Sequence, residues 1–102
     1  MSITPETYHK LVKISELSTL NRNTSIQLVG VVSLYDEQNL KIHLNDTFGD
    51  LFIDLGKTPE IPLTQGKVVR VFGNWDSIGI TVEKILEWDI VPEKIPILFS
   101  ST

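Results

Sequence analysis

Residues 28–36 read LVGVVSLYD, an apolar run interrupted by Gly30 and closed by Tyr35 and Asp36. Glycine inside a strand packs nothing and orders a flexible backbone, so its presence there needs a reason. Extended backwards, the run becomes SIQLVGVVSLY, a strand over about 25–35 with Gly30 close to its midpoint. A strand that must bend sharply, or that another backbone approaches closely, calls for a glycine or a bulge at the bend. The next segment, 39–45, has Leu40, Ile42 and Leu44 alternating with Lys41, His43 and Asn45. That period of two predicts a strand with one buried and one polar face. Asp36 to Asn39, DEQN, joins the two runs as a tight hairpin.

Three more strands follow. DLFIDL at 50–55 sets Leu51, Ile53 and Leu55 against Phe52 and Asp54. KVVRVFGNW at 67–75 and GITVEKILEWD at 79–89 complete the set, with Gly73 placed in the fourth strand as Gly30 is in the first. The stretch 56–66, GKTPEIPLTQG, holds two glycines and two prolines and excludes a long helix. Before the first strand, Thr4, Pro5 and Glu6 read as an N-cap, a first-turn proline and an acid at the positive end of a helix dipole. Tyr8, Leu11 and Val12 then share one helical face, predicting a helix near 5–14, and the polar STLNRNT at 18–24 reads as a loop.

Five short strands with a long curved first strand point to an all-β fold, a five-stranded β-barrel of the OB type with a short N-terminal helix. A β-sandwich or an SH3-like barrel, with the glycines at ordinary bulges, is the alternative. The 102 residues make one domain, 1–102, in which 1–17 is an N-terminal helical segment and 90–102 an extended C-terminal tail.

Composition narrows the function classes. Net charge is −4, from 13 acids against 9 bases, which argues against tight autonomous binding of a polyanion. Without cysteine there is no disulfide, thiolate metal site or cysteine nucleophile. His9 and His43 lack a spaced second ligand, so no metal or other cofactor is expected. No apolar run reaches the roughly 18 residues that span a bilayer, and MSITPETYHK is not a signal peptide. Neither Gly56-Lys57 nor Gly66-Lys67 carries the rest of a phosphate loop, and no Ser-His-Asp order with supporting motifs stands out. Catalysis is not expected.

LVGVVSLYD, NLKIHL and KVVRVFGNW together resemble the small OB-fold subunits of trimeric single-strand-binding complexes. Their order and spacing is most similar to the Ten-type subunit of the CST telomere-capping complex. The shared pattern is Gly30, four residues, then Tyr35 and Asp36, followed by Val69, Val71 and Gly73, with Tyr8 before the first strand. The small subunit of replication protein A shares the architecture. The resemblance covers about residues 5–89. It implies an accessory, non-catalytic subunit in the nucleus, at the telomeric region of chromosomes. The partner it implies is a larger, Stn-type OB-fold subunit, bound as a heterodimer within a trimer that has a large telomere-binding subunit. Single-stranded DNA would be met weakly or only in the complex. Alternatives are the same role in a replication protein A type trimer, or a stand-alone single-strand binder. Both families end in a C-terminal helix, whereas Pro92 and Pro96 interrupt DIVPEKIPILFSST.

Candidate site residues fall into three groups. Lys41, His43, Phe52 and Arg70 face outward on the second, third and fourth strands, where Phe52 can stack a base and the cations can meet phosphates. A solvated polar face with one exposed aromatic is the other reading. Tyr35 and Asp36 shape the first hairpin for a partner contact, and Tyr35→Ala should weaken that contact and leave the fold intact; packing of Tyr35 on the barrel rim is the alternative. Trp75 is expected as an interface anchor and Trp88 as the filler of a barrel end, with Ile97, Leu98 and Phe99 forming an apolar docking tail.

Overall fold

The computed structural model describes residues 9–100. Six strands run β1 (Lys10–Leu11), β2 (Thr24–Asp36), β3 (Lys41–Asn45), β4 (Asp50–Asp54), β5 (Val68–Trp75) and β6 (Ile80–Trp88). Two 3-10 segments flank them, Ile14–Thr19 before β2 and Pro92–Phe99 after β6. The sheet order is β4-β3-β2-β5-β6, antiparallel throughout, with β1 added in parallel to the start of β2.

β2 organises the barrel. Its first part, from Thr24 to Val31, pairs with β5, and its second, from Val31 to Asp36, pairs with β3. Register slips between Val32 and Leu34, so Ser33 forms a bulge. Gly30 sits where one pairing hands over to the other. A Cβ there would lie 2.7 Å from the Asn45 carbonyl oxygen and 2.9 Å from Leu44 Cγ. Gly73 lies at the register slip between β5 and β6, where a Cβ would run into the Thr81 carbonyl oxygen. Both glycines allow neighbouring backbone to come closer than a side chain permits. β4 and β6 end the ladder without pairing; the end of β4 and the start of β6 line one groove, so the barrel is partly open.

Alternation sorts each strand into two faces. Ile26, Leu28, Val32, Ile42, Leu44, Ile53, Val69, Val71 and Trp75 fill the main core. Val29 and Val68 point to the other face of the sheet, where Ile95 of the C-terminal segment covers them. The hairpin after β3 is held by buried Asp46, whose carboxylate accepts Ile14 N–H at 2.7 Å and Phe48 N–H at 2.9 Å. It thereby ties the first 3-10 segment to the barrel end.

Two sequence expectations about the ends are corrected. Residues 9–13 are not helical. Lys10–Leu11 pair with Ile26–Gln27, and Val12 N–H donates to the Gln27 carbonyl at 3.2 Å. Val12 enters the main core and Leu11 packs on the second cluster, so this pair alternates rather than sharing a helical face. Thr4, Pro5, Glu6 and Tyr8 lie outside the described residues. The tail is not extended over 92–99 but wound as 3-10 turns. Pro92 opens the segment, where its missing N–H costs nothing, and Pro96 inside it is tolerated because no α-helical ladder is being built.

Candidate ligand face and partner surface

Register brings three of the four expected outward residues together. His43 opposes Phe52, Lys41 opposes Asp54, and on the other side Leu34 opposes His43. Leu34, His43 and Phe52 therefore form a row across β2, β3 and β4, with Leu34 50% and Phe52 67% exposed. The His43 and Phe52 rings are 4.5 Å apart. Lys41 is flanked in register by Asp36 and Asp54, and Asn45 by Asp50.

Arg70 stands apart from this row. It lies on the outward face of β5, opposite Val29 of β2, with its guanidinium 5.2 Å from the Phe72 ring and 5.1 Å from the Trp88 ring. Its Nε is buried without a hydrogen-bond partner among the described residues. The expected four-residue strip is thus divided. β2 separates β5 from β3 and β4, and the outward faces of a curved sheet diverge.

The bulge brings Ser33, His43 and Asp50 into a chain that the linear sequence concealed. Ser33 Oγ contacts His43 Nδ1 and the His43 carbonyl oxygen, the latter at 3.0 Å. A carbonyl only accepts, so the serine proton goes to it and the imidazole N–H donates to Oγ. That assignment occupies the hydroxyl proton and leaves Nε2 facing Asp50 Oδ2 at 3.6 Å, beyond hydrogen-bond range. Ser33 is a locked bulge residue in this geometry rather than a nucleophile awaiting a base. Among the described residues no cluster of three His, Asp or Glu side chains is placed to hold a metal. No helix there is long and apolar enough to cross a membrane.

The hairpin pair divides its labour. Tyr35 opposes Ile42 and packs against the main core, so its ring belongs to the barrel rim. Tyr35→Ala would therefore cost stability, contrary to the expectation of an intact fold. Asp36 Oδ2 accepts the Asn39 side-chain amide at 2.7 Å, and Oδ1 accepts the Gln38 and Asn39 backbone N–H groups at 3.2 Å each. The Asn39 amide first, then its backbone N–H, hold the Asp36 carboxyl below the usual carboxylate range, with Gln38 N–H and the Lys41 charge adding to them.

Trp75, expected as an interface anchor, is buried instead. Trp75 is 8% exposed, sits in the main core beside Leu17, Leu20 and Leu51 at the barrel end, and is no surface anchor. Alternation explains this, because Val69, Val71, Gly73 and Trp75 share the inward face of β5. Trp88 is half-buried on the second cluster. The tail residues also separate. Phe99 packs edge-on against Phe48 at 5.4 Å with Lys13 beside both rings, Leu98 is half-buried on the second cluster, and Ile97 is 60% exposed.

The partly open barrel with this strand order matches solved structures. Similarity to the telomere capping protein Ten1 from S. pombe has a TM-score of 0.74 at 17% identity and covers 89% of this chain and 93% of that one. The chain has a Ten1-like OB fold. A second match, to a structure of the S. pombe Stn1–Ten1 complex, has a TM-score of 0.73 at 17% identity, covering 89% and 88%. A third, to U. maydis replication protein A bound to single-stranded DNA, has a TM-score of 0.70 at 18% identity, covering 91% and 87%. No protein-family model and no curated protein sequence matches the chain. The Ten1-like chain thus shares a whole-barrel architecture with these proteins, while 17% identity leaves its surface chemistry its own.

Proposed function

We propose that this chain is the small accessory OB-fold subunit of a telomere-capping, single-strand-binding complex, working in the nucleus at chromosome ends. It acts without catalysis, by binding and stabilising a larger OB-fold partner of the Stn type in a heterodimer, within a trimer. The observation that carries this reading is the likeness to S. pombe Ten1 over nearly the whole of both chains. Charge supports the accessory role over autonomous DNA binding: Lys41 is the one base on a face that also carries Asp36, Asp50 and Asp54. The partner surface comprises the Tyr35–Asp36 hairpin and the apolar edge of the C-terminal segment, Ile97 with the fringes of Leu98 and Phe99. Single-stranded DNA is met weakly or only in the complex, with the larger subunits making the phosphate contacts.

The similarity to replication protein A supports a second reading, the small subunit of a replication-type trimer. The test is co-purification of the tagged chain from its native cell, with wild type beside Ile97→Asp. Recovery of a larger OB-fold telomere protein in equal amount, lost in Ile97→Asp, is expected. Recovery of the replication trimer selects the second reading. Recovery of nucleic acid alone, released by salt, overturns both.

A further inference from the structure

The face of β2, β3 and β4 that carries Leu34, His43 and Phe52 pairs an exposed apolar surface with carboxylates that disfavour a polyanion. It exposes a large aromatic and a leucine with no element covering them among the described residues. It also surrounds them with carboxylates. Asp50 and Asp54 are the two neighbours of Phe52 on the outward face of β4, and Asp36 closes the row on β2.

Lys41, in register between Asp36 and Asp54, is the base beside them, and the three carboxylates outnumber it. Among the described residues, no lysine or arginine forms an ion pair with Asp50 or Asp54, and the nearest cationic candidate to Asp50 is His43 at 3.6 Å. Asp54 Oδ1 accepts Gly56 N–H at 3.0 Å, and its hairpin donors favour the ionised form of the Asp36 carboxyl. Phosphates laid along Phe52 would meet a carboxylate on either side. A cation there would gain two carboxylates and the face of an aromatic ring, each attractive to it.

From this charge complementarity we infer that the face is a docking surface for a basic, extended protein segment. The segment seats one apolar side chain between Leu34 and Phe52 and sets Lys or Arg side chains against Asp50 and Asp54. An extended segment suits the site because β3 and β4 present their outward residues at every second position, the spacing at which a strand-like peptide presents its own. The C-terminal segment packs on Val29 of β2 and Val68 of β5 and leaves Leu34 and Phe52 exposed.

The test is a titration of the isotope-labelled full chain, read by backbone amide shifts. Three probes are used: a short Arg/Ser peptide with one central Leu, the same peptide with Glu for Arg, and oligothymidylate. Saturable shifts at Leu34, His43 and Phe52 with the basic peptide, and none with the acidic one, are expected. Phe52→Ser, and Asp50→Asn with Asp54→Asn, should each weaken the basic peptide by about tenfold, while Glu60→Gln leaves it unchanged. Phe52 is exposed and Asn at 54 keeps an acceptor for Gly56 N–H, so these variants keep the fold, and the amide spectrum itself reports it. Oligothymidylate shifting the same amides while the basic peptide does not would overturn the proposal in favour of a nucleic-acid face. Peptide binding that ignores Phe52→Ser, or that spreads over the surface, would reduce it to general attraction by an acidic protein and overturn it too.

Discussion

Gly73 and Asp76 show how single residues set the β5–β6 turn region. A methyl at position 73 would press on a carbonyl oxygen of the paired strand, Thr81, and on Ile80 Cγ1 at 2.9 Å. Backbone in a ladder yields less than a side-chain end. At Gly30 the obstacles are one carbonyl oxygen at 2.7 Å and the flexible Leu44 side chain. Gly73→Ala should therefore cost about 3 kcal/mol and Gly30→Ala about 2 kcal/mol, compared by urea unfolding. Asp76 accepts Gly79 N–H and Ile78 N–H at 2.9 Å each, and these, Gly79 first, hold its carboxyl below the usual 3.8. A carboxyl depressed in the folded state stabilises the fold above its unfolded pKa and loses that contribution as pH falls through the folded value. Asp76→Asn keeps an acceptor but has no such titration. The melting temperature of wild type should exceed that of Asp76→Asn at pH 7, and the gap should close as pH falls below 3.8. A gap independent of pH would mean that the charge is not what the turn uses.

At the scale of elements, the five long strands were legible because each obeys alternation, and the hairpins because turn residues separate them. What was hidden depended on partners distant in sequence. Leu11 and Val12 fit a helical face until β2 offers them a ladder, after which they face opposite ways. The direction of Trp75 follows from the inward set Val69, Val71 and Gly73, a signal present in KVVRVFGNW and outweighed by the general enrichment of tryptophan at interfaces. Asp46 gave no sign of burial, since its role exists only once Ile14 arrives beside it. Of the candidate face, the pairing of Phe52 with His43 could be read from alternation, but the exclusion of Arg70 required the sheet order. The C-terminal segment shows the same dependence. Its prolines forbid an α-helix, yet Ile95 is fully buried against Val29 and Val68. Ile95→Ala should cost about 3 kcal/mol in urea unfolding, while exposed Ile97→Ala should change stability by less than about 0.5 kcal/mol. Equal effects would mean that the segment is held by the tail as a whole rather than by one anchor.

For the whole molecule, the balance of 13 acids against 9 bases decides how a single strand can be held. Affinity for nucleic acid grows with the number of phosphates neutralised, and each contact on a single strand adds about 0.7 to the slope of log K against log salt. The barrel offers Lys41 on the outward face of β3, among Asp36, Asp50 and Asp54, and keeps Arg70 on another face between two aromatic rings. An isolated chain so arranged should show no measurable binding of oligothymidylate at about 0.15 M salt, where screening leaves only short-range pairs. In a complex with a larger OB subunit, the salt dependence should belong to that subunit. Lys41→Ala in the complex should then leave the slope unchanged within about 0.3, less than half of one phosphate contact. A loss of about 0.7 would show that Lys41 holds a phosphate despite its acidic neighbours, and would make the small barrel a direct part of the DNA path. The comparison separates the two roles because the slope counts ions released, not the affinity contributed by folding or by partner contacts.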